Sequence, residues 1–272
     1  MAVAINPVVE TYSRLAAEYD DDKNIHSCWG KSADRALSSV VIKDGYKTVL
    51  DMGCGTGRAI SDFARKGRPG VEWIGIDPAP NMVKISAQHA DGMASVKTAV
   101  GSFESIPLDA KSVDYIFSIF AFHWTTNLDA SVKELKRVLK PNGDMDLFFI
   151  GRNNGREFIQ ATSPIFLKHM GPAQLLESAK MRKQLTKDAA YKLFATDFNP
   201  AQLEVTETYE TFPDTLEGHW AWWVRIEGQF MKIQPEKKKA CDEEIKAALA
   251  KLGTNDIPYT IHKLHVKVRQ SE

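Results

Sequence analysis

Three glycines, Gly53, Gly55 and Gly57, follow the short run Val49-Leu50-Asp51-Met52 and precede a helical pattern. Glycine at such a turn allows backbone angles closed to other residues and lets a ligand approach the main chain. The spacing narrows the choice of ligand. The dinucleotide fingerprint is GxGxxG, but here the third glycine comes one position early and Arg58 stands in its place. A bulky cation there would crowd the helix–strand contact, which disfavours a pyrophosphate cofactor. No GKS or GKT follows, so the phosphate-cradling P-loop is absent as well. The second anchor is Asp77, at the end of the next apolar run and roughly 20 residues past the loop, where a βαβ unit returns a carboxylate to grip a ribose diol. The competing role for Asp77 is a turn carboxylate capping a helix that Pro78 begins. Loop and acid together point to a nucleoside-bearing ligand without a diphosphate.

These groups need strands and helices to hold them. Residues 47–51 read as a first strand, Arg58 to Lys66 as a helix closed by Gly67 and Pro69, and 71–77 as a second strand. Pro80 to His89 is a second helix, and 96–100, 113–119 and 144–150 are further strands. Leu128 to Leu139 is amphipathic, with Leu128, Val132, Leu135, Val138 and Leu139 on one side and Pro141-Asn142-Gly143 as its stop. Strands separated by helices of this length imply βαβ units and a parallel sheet. From Arg152 to Asn199 the chain reads as a mostly helical insertion. Leu203 to Phe212 alternates like a half-exposed strand, Thr215 to Leu252 is helical in two pieces broken near Pro235, and Ile257 to Val268 is a last strand.

Charged residues make up 26% and hydrophobic ones 43% of 272, which excludes disorder and collagen-like repeats. Lys plus Arg equals Asp plus Glu at 35 each, arguing against a wholesale nucleic-acid binder. No apolar run approaches the roughly 20 residues that a membrane helix needs. The first residues lack a basic segment, so no secretory signal and no membrane partner are expected. Cys28, Cys54 and Cys241 are isolated, and neither a disulfide framework nor a metal site is expected. A cytoplasmic protein, monomer or homodimer, is the expectation. Lys237-Lys238-Lys239 reads as a solvated face beside Glu236, Asp242, Glu243 and Glu244.

Several motifs in order resemble those of class I S-adenosylmethionine-dependent methyltransferases. VLDMGCGTG (49–57) is similar to the family's first motif and GIDPAPNMV (75–83) to the segment that follows it. GSFESIPLDAKSVDYIFSIFAFHW (101–124) and LKRVLKPNGDMDLFF (135–149) are similar to the later motifs. The likeness covers roughly Tyr12 to Ile150. It implies an α/β, Rossmann-like doubly wound, mostly parallel seven-stranded sheet with an antiparallel last strand and a helical cap insertion. The implied division is a helical lid (1–45), a cofactor-binding core (46–151 and 200–272) and a helical cap (152–199). The implied cofactor is S-adenosylmethionine. Gly53, Gly55 and Gly57 would surround its methionine part, Asp51 would orient its amino group or a bound water, and Asp77 would hold the ribose. Met82, Ser102 and Phe103 would frame the adenine, with Ser118 and Ile119 near the amino acid and the sulfonium. Ser102 departs from the acid usual at its position, and serine accepts the adenine amino group more weakly.

The partner is then a small-molecule methyl acceptor, with no nucleic acid expected. Oxygen or carboxyl methylation is favoured, with nitrogen or carbon as further options. The His-Trp pair, the insertion and the last strand pair look like enzymes that form carboxyl methyl esters. His123 is the candidate base, having the right ordinary pKa, and its other role is packing over the cofactor. Tyr19, in the segment resembling the family's lid helix, is the second candidate catalytic residue, and His26 and Trp29 are weaker ones. Trp124, Arg152, Trp220 and Trp223 are candidate acceptor-binding residues, Arg156 and Arg225 being further candidate cations. Trp220 and Trp223 share a helical face that is either a pocket wall or core. A macromolecular methyltransferase and a non-catalytic nucleoside-binding scaffold are the competing readings.

Overall fold

The computed structural model describes residues 6–20, 26–66, 69–225, 227–231 and 233–269. Gly67, expected to close a helix, lies outside the described residues. Helices α1 (Pro7–Arg14), α2 (Ala16–Tyr19) and α3 (Cys28–Ser38) precede the first strand. Then come β1 (Thr48–Met52), α4 (Arg58–Arg65), β2 (Glu72–Asp77), α5 (Pro80–His89), β3 (Val96–Val100) and β4 (Val113–Ile119). Next are α6 (Leu128–Val138), β5 (Leu139–Ile150), α7 (Arg156–Lys180) and α8 (Lys187–Phe194). The chain ends with β6 (Leu203–Asp214), α9 (Leu216–Arg225), α10 (Pro235–Ala250) and β7 (Ile257–Val268). The strands form one seven-stranded sheet in the order β3-β2-β1-β4-β5-β7-β6. All pairings from β3 to β5 are parallel, and β7 runs antiparallel to both β5 and β6. The expected mostly parallel sheet with an antiparallel last strand is the observed one. Among the described residues no helix is long and apolar enough to cross a membrane.

Strand alternation divides the core. Leu50, Met52, Ile116, Leu147 and Phe149 pack on one face with Val132, Leu135 and Val138 of α6. Val49, Trp73, Tyr115, Phe117 and Phe148 pack on the other with Ala36 and Ile60. Two buried acids tie β5 into the sheet. Asp144 accepts from the Tyr46 hydroxyl at 2.5 Å and pairs with Lys43 at 2.6 Å. Asp146 takes the Tyr115 hydroxyl at 2.6 Å, His265 Nε2 at 2.6 Å and Arg269 Nη2 at 2.5 Å.

One boundary differs from expectation. Pro141-Asn142-Gly143 stands inside β5, not ahead of a strand starting at Asp144. Leu139 pairs with Val113, and the register then shifts so that Asp144 lies opposite Tyr115. The intervening residues bulge from the ladder as an irregularity that a turn-like sequence accommodates. Gly143 fits because a Cβ there would sit 2.9 Å from the Asp114 carbonyl oxygen and 2.7 Å from Leu139 Cδ1.

Above the sheet, α7 packs chiefly on α10. It is kinked at Gly171, whose φ of 77° interrupts the helix just before Pro172. Asn81 ties α1 to α5, its backbone amide donating to Ser13 Oγ at 3.2 Å and its side-chain amide to the Ser13 carbonyl at 2.9 Å. At the other end of α5, His89 pairs with Asp20 at 3.1 Å.

Candidate active site

Two cavities share Tyr12, Tyr19, Gly53, Gly55, Phe120 and Trp124 as a common wall beyond the carboxyl ends of β1 and β4. The glycine loop separates them. All three loop glycines have positive φ. Gly55 has nothing within 4 Å of the place a Cβ would take, so its backbone faces open space. Gly57 is different. A Cβ there would meet Ser86 Oγ at 2.0 Å, and Gly57 lines neither cavity. It lets α4 start against α5, while Gly53 and Gly55 face the cleft.

Asp77 lines the second cavity, its Oδ2 accepting from Gly55 N–H at 3.0 Å and its Oδ1 from Ala79 N–H at 2.9 Å. The carboxylate thus bonds the backbone just ahead of α5, the capping role weighed from sequence, and the glycine loop as well. Burial raises its pKa to about 6, against the lowering effect of those two amides. Asp51 lines the first cavity at the end of β1, and burial followed by the neighbouring Asp77 charge pushes its pKa well up. Neither acid meets a cation among the described residues. A buried carboxylate and a half-buried one, neither ion-paired among the described residues, beside a glycine loop open at Gly55 suit a ligand carrying an ammonium and a diol, the polar groups of S-adenosylmethionine.

Met82, Ser102 and Phe103 line the second cavity. The Ser102 backbone pairs with that of Ser105. Glu104 lines the same cavity. Burial raises its pKa, but bonds from Thr125, Thr126 and Asn127 outweigh this and hold it at about 2. Ile119 lines both cavities and Ser118 neither. Alternation explains the difference: Ile119 shares the face of Phe117, whereas Ser118 points with Ile116 toward the α6 layer. The Ser118 hydroxyl is buried there without a partner.

Residues 50–145 match a family model described as a methyltransferase domain. The chain carries a class I methyltransferase domain. S-adenosylmethionine is the methyl donor of this family. A demethylmenaquinone methyltransferase of Staphylococcus carnosus is 29% identical over 141 residues, 50% of this chain and 57% of that protein. A malonyl-[acyl-carrier protein] O-methyltransferase of Methylococcus capsulatus is 38% identical over 95 residues, 35% of this chain and 34% of the relative. The chain thus spans 57% and 34% of these two relatives' lengths, less than two thirds of either. In fold, it is similar to the YcgJ protein of Bacillus subtilis, with a TM-score of 0.60 at 18% identity over 89% of this chain and 99% of that one.

His123 and Trp124 sit on a single helical turn after β4 and line the first cavity. His123 is 4% exposed. Burial, with the Arg182 charge added, lowers its pKa to about 3. Its Nδ1 accepts from Ile150 N–H at 3.5 Å, which leaves the ring proton on Nε2. Tyr19 lines both cavities, and burial together with Asp77 raises its phenol pKa.

The other candidate acceptor residues are not brought to this cavity. Arg152 is exposed, its backbone N–H donating to the Leu185 carbonyl at 2.9 Å. Arg156 is exposed beside Glu157, and His26 is exposed. The Arg225 side chain lies outside the described residues. Trp223 is core, packed with Phe166, Met170 and Cys241, its indole donating to Asp242 at 3.2 Å. Trp220 packs against the same cluster beneath Lys246. Trp222, between them, lines the cavity with Trp29. Helical spacing groups Trp220 with Trp223 but does not say which side of α9 meets the core.

Sequence reasoning also missed Phe120, Asn154, Arg182 and Gln184, all of which line this cavity. Phe120 has a φ of 56°, in the left-handed region a bulky residue rarely adopts. Arg182 and Gln184 arrive on the segment between α7 and α8, a tertiary placement with no local signal.

Proposed function

We propose that the protein transfers the methyl group of S-adenosylmethionine to an oxygen of a small molecule that is already ionised at neutral pH, a carboxylate. The observation carrying this is the state of the candidate bases. His123, held neutral down to about pH 3, is too weak a base to deprotonate a phenol or an ammonium. Tyr19, its phenol raised, keeps its proton. A carboxylate needs neither, only alignment and exclusion of water.

S-adenosylmethionine supplies an activated methyl group whose leaving group becomes a neutral thioether. The chain's residues hold and orient. Asp51 takes the ammonium and Asp77 the ribose diol, while the Gly53 and Gly55 backbones lie along the methionine part. Met82, Phe103 and Ser102 flank the adenine. Tyr12, Tyr19 and Trp124, in edge-on contact at 5.8 and 5.7 Å between ring centroids, close the cleft from the N-terminal side. His123 serves as a neutral wall with its ring proton on Nε2. The cap is best drawn from both 156–180 and 216–250, since α7 packs on α10.

The test is methyl transfer from isotopically labelled donor to a panel of carboxylic acids, phenols and amines. Alkali-labile label on acids alone is the expected result. Alkali-stable label on phenols or amines would overturn the carboxylate assignment.

A further inference from the structure

We propose that His89 is a protonation-dependent latch that fastens the N-terminal helices over the methyl-donor cleft and holds the glycine loop at the same time. This rests on the reading of that cleft as the S-adenosylmethionine site, and adds to it a positioning residue that touches no ligand.

His89 ends α5 and lines neither cavity. Its Nδ1 faces the carbonyl oxygen of Thr56, between Gly55 and Gly57, at 2.9 Å. Its Nε2 faces Asp20 Oδ2 at 3.1 Å. A carbonyl and a carboxylate only accept hydrogen bonds. A neutral imidazole has one N–H and can donate to one of them, which sets the other nitrogen's lone pair against an oxygen. The ring satisfies both partners only as imidazolium, with a proton on each nitrogen. Its place in the last turn of a helix favours the same form, because the unpaired carbonyls there attract a cation.

The two partners belong to the cleft. Asp20 and Thr56 line the first cavity, and Asp20 directly follows Tyr19, which lines both. The N-terminal helices are also held on α5 by Asn81, through bonds to Ser13 that do not titrate. Helix α5 therefore carries them at two points, and the His89 point alone of the two responds to pH. The other charged groups around this turn are accounted for. Arg65 of α4 donates from Nη2 to the His89 carbonyl at 3.3 Å and is paired with Asp62 at 3.0 Å. Lys97 of β3 is paired with Glu72 of β2. Asp91, just past α5, and Glu18 of α2 are exposed, and Arg14 closes α1. As pH rises through the ordinary histidine range, the ring loses one proton and one of its two bonds. The closed form of the cleft is then less populated, and apparent donor affinity falls in proportion.

The test is calorimetric titration of S-adenosylhomocysteine at about pH 6 and about pH 8.5, either side of the ordinary histidine range. The proteins compared are the unaltered chain, His89→Gln, Asp20→Asn and the double variant. Comparison at one pH cancels the titration of Asp77, which all four share. At about pH 6 each single variant should bind about two- to fivefold more weakly, the worth of one partly exposed charge pair. The double variant should bind no more weakly than the weaker single one. At about pH 8.5 the unaltered chain and His89→Gln should bind within about 1.5-fold of each other, which also shows that His89→Gln is folded. A ratio between these two proteins that is the same at both pH values would overturn the latch. Losses that multiply in the double variant would overturn the pairing with Asp20. Failure of S-adenosylhomocysteine to bind the unaltered chain at either pH would instead overturn the methyl-donor reading beneath it.

Discussion

Asp77 is a half-buried acid whose folded pKa, raised by desolvation to about 6, lies above its ordinary 3.8. A raised acid destabilises the empty fold once ionised. That cost is absent below the ordinary value, grows as pH rises, and is complete above about 6, where it amounts to about 3 kcal/mol. Ribose hydroxyls donating to the carboxylate would favour the ionised form. S-adenosylhomocysteine affinity should therefore fall about tenfold per pH unit below about 6, with Asp77→Asn flattening the profile, as equilibrium dialysis across that range can check. The two loop glycines should separate in the same spirit. Gly57→Ala, blocked by Ser86, should lower stability by about 1–3 kcal/mol in urea unfolding. Gly55→Ala should cost only about 1 kcal/mol of stability and act mainly on cofactor affinity. For His123, replacement by Gln should leave methyl transfer within about tenfold, because a base would cost roughly 10²–10⁴. At this scale the loop and Asp77 were legible in the sequence, since their spacing is local. Arg182 was not, because its place depends on how residues 181–185 run beside 151–152.

Among the elements, strands and helices follow their hydrophobic periods closely, β7 and α5 to the residue. The misread start of β5 shows a limit of local signals: Pro-Asn-Gly reads as a turn, yet tertiary pairing with β4 absorbs it as a bulge. The tryptophans of α9 show another. Period reveals shared faces, but the partner that covers each face comes from α7 and α10, far along the chain. The sheet's own buried charge gives an element-level prediction. Asp146 is fully buried between β4 and β7 residues. Burial raises its pKa, but the bonds from His265 and Tyr115 and the Arg269 charge outweigh this and lower it. Its stabilisation is therefore present above the ordinary carboxylate range and is lost as pH falls through the depressed folded value. Asp146→Ala should cost about 3–5 kcal/mol at neutral pH in urea unfolding, and less in acid.

For the whole molecule, the sheet, the N-terminal helices and the helical layer over the strand ends enclose one cleft between them. A ligand bound there should stabilise all of them together. At 100 times its dissociation constant, S-adenosylhomocysteine should add about 2.7 kcal/mol, raising the melting temperature by roughly 5–10 °C for a chain of this size. The most direct test of the central claim is calorimetric titration of S-adenosylhomocysteine into the protein at neutral pH, beside Asp77→Ala. One-site, micromolar binding that is lost in the variant is the predicted result. No heat from the unaltered protein, or the same isotherm from both, would contradict the reading of this cleft as a methyl-donor site.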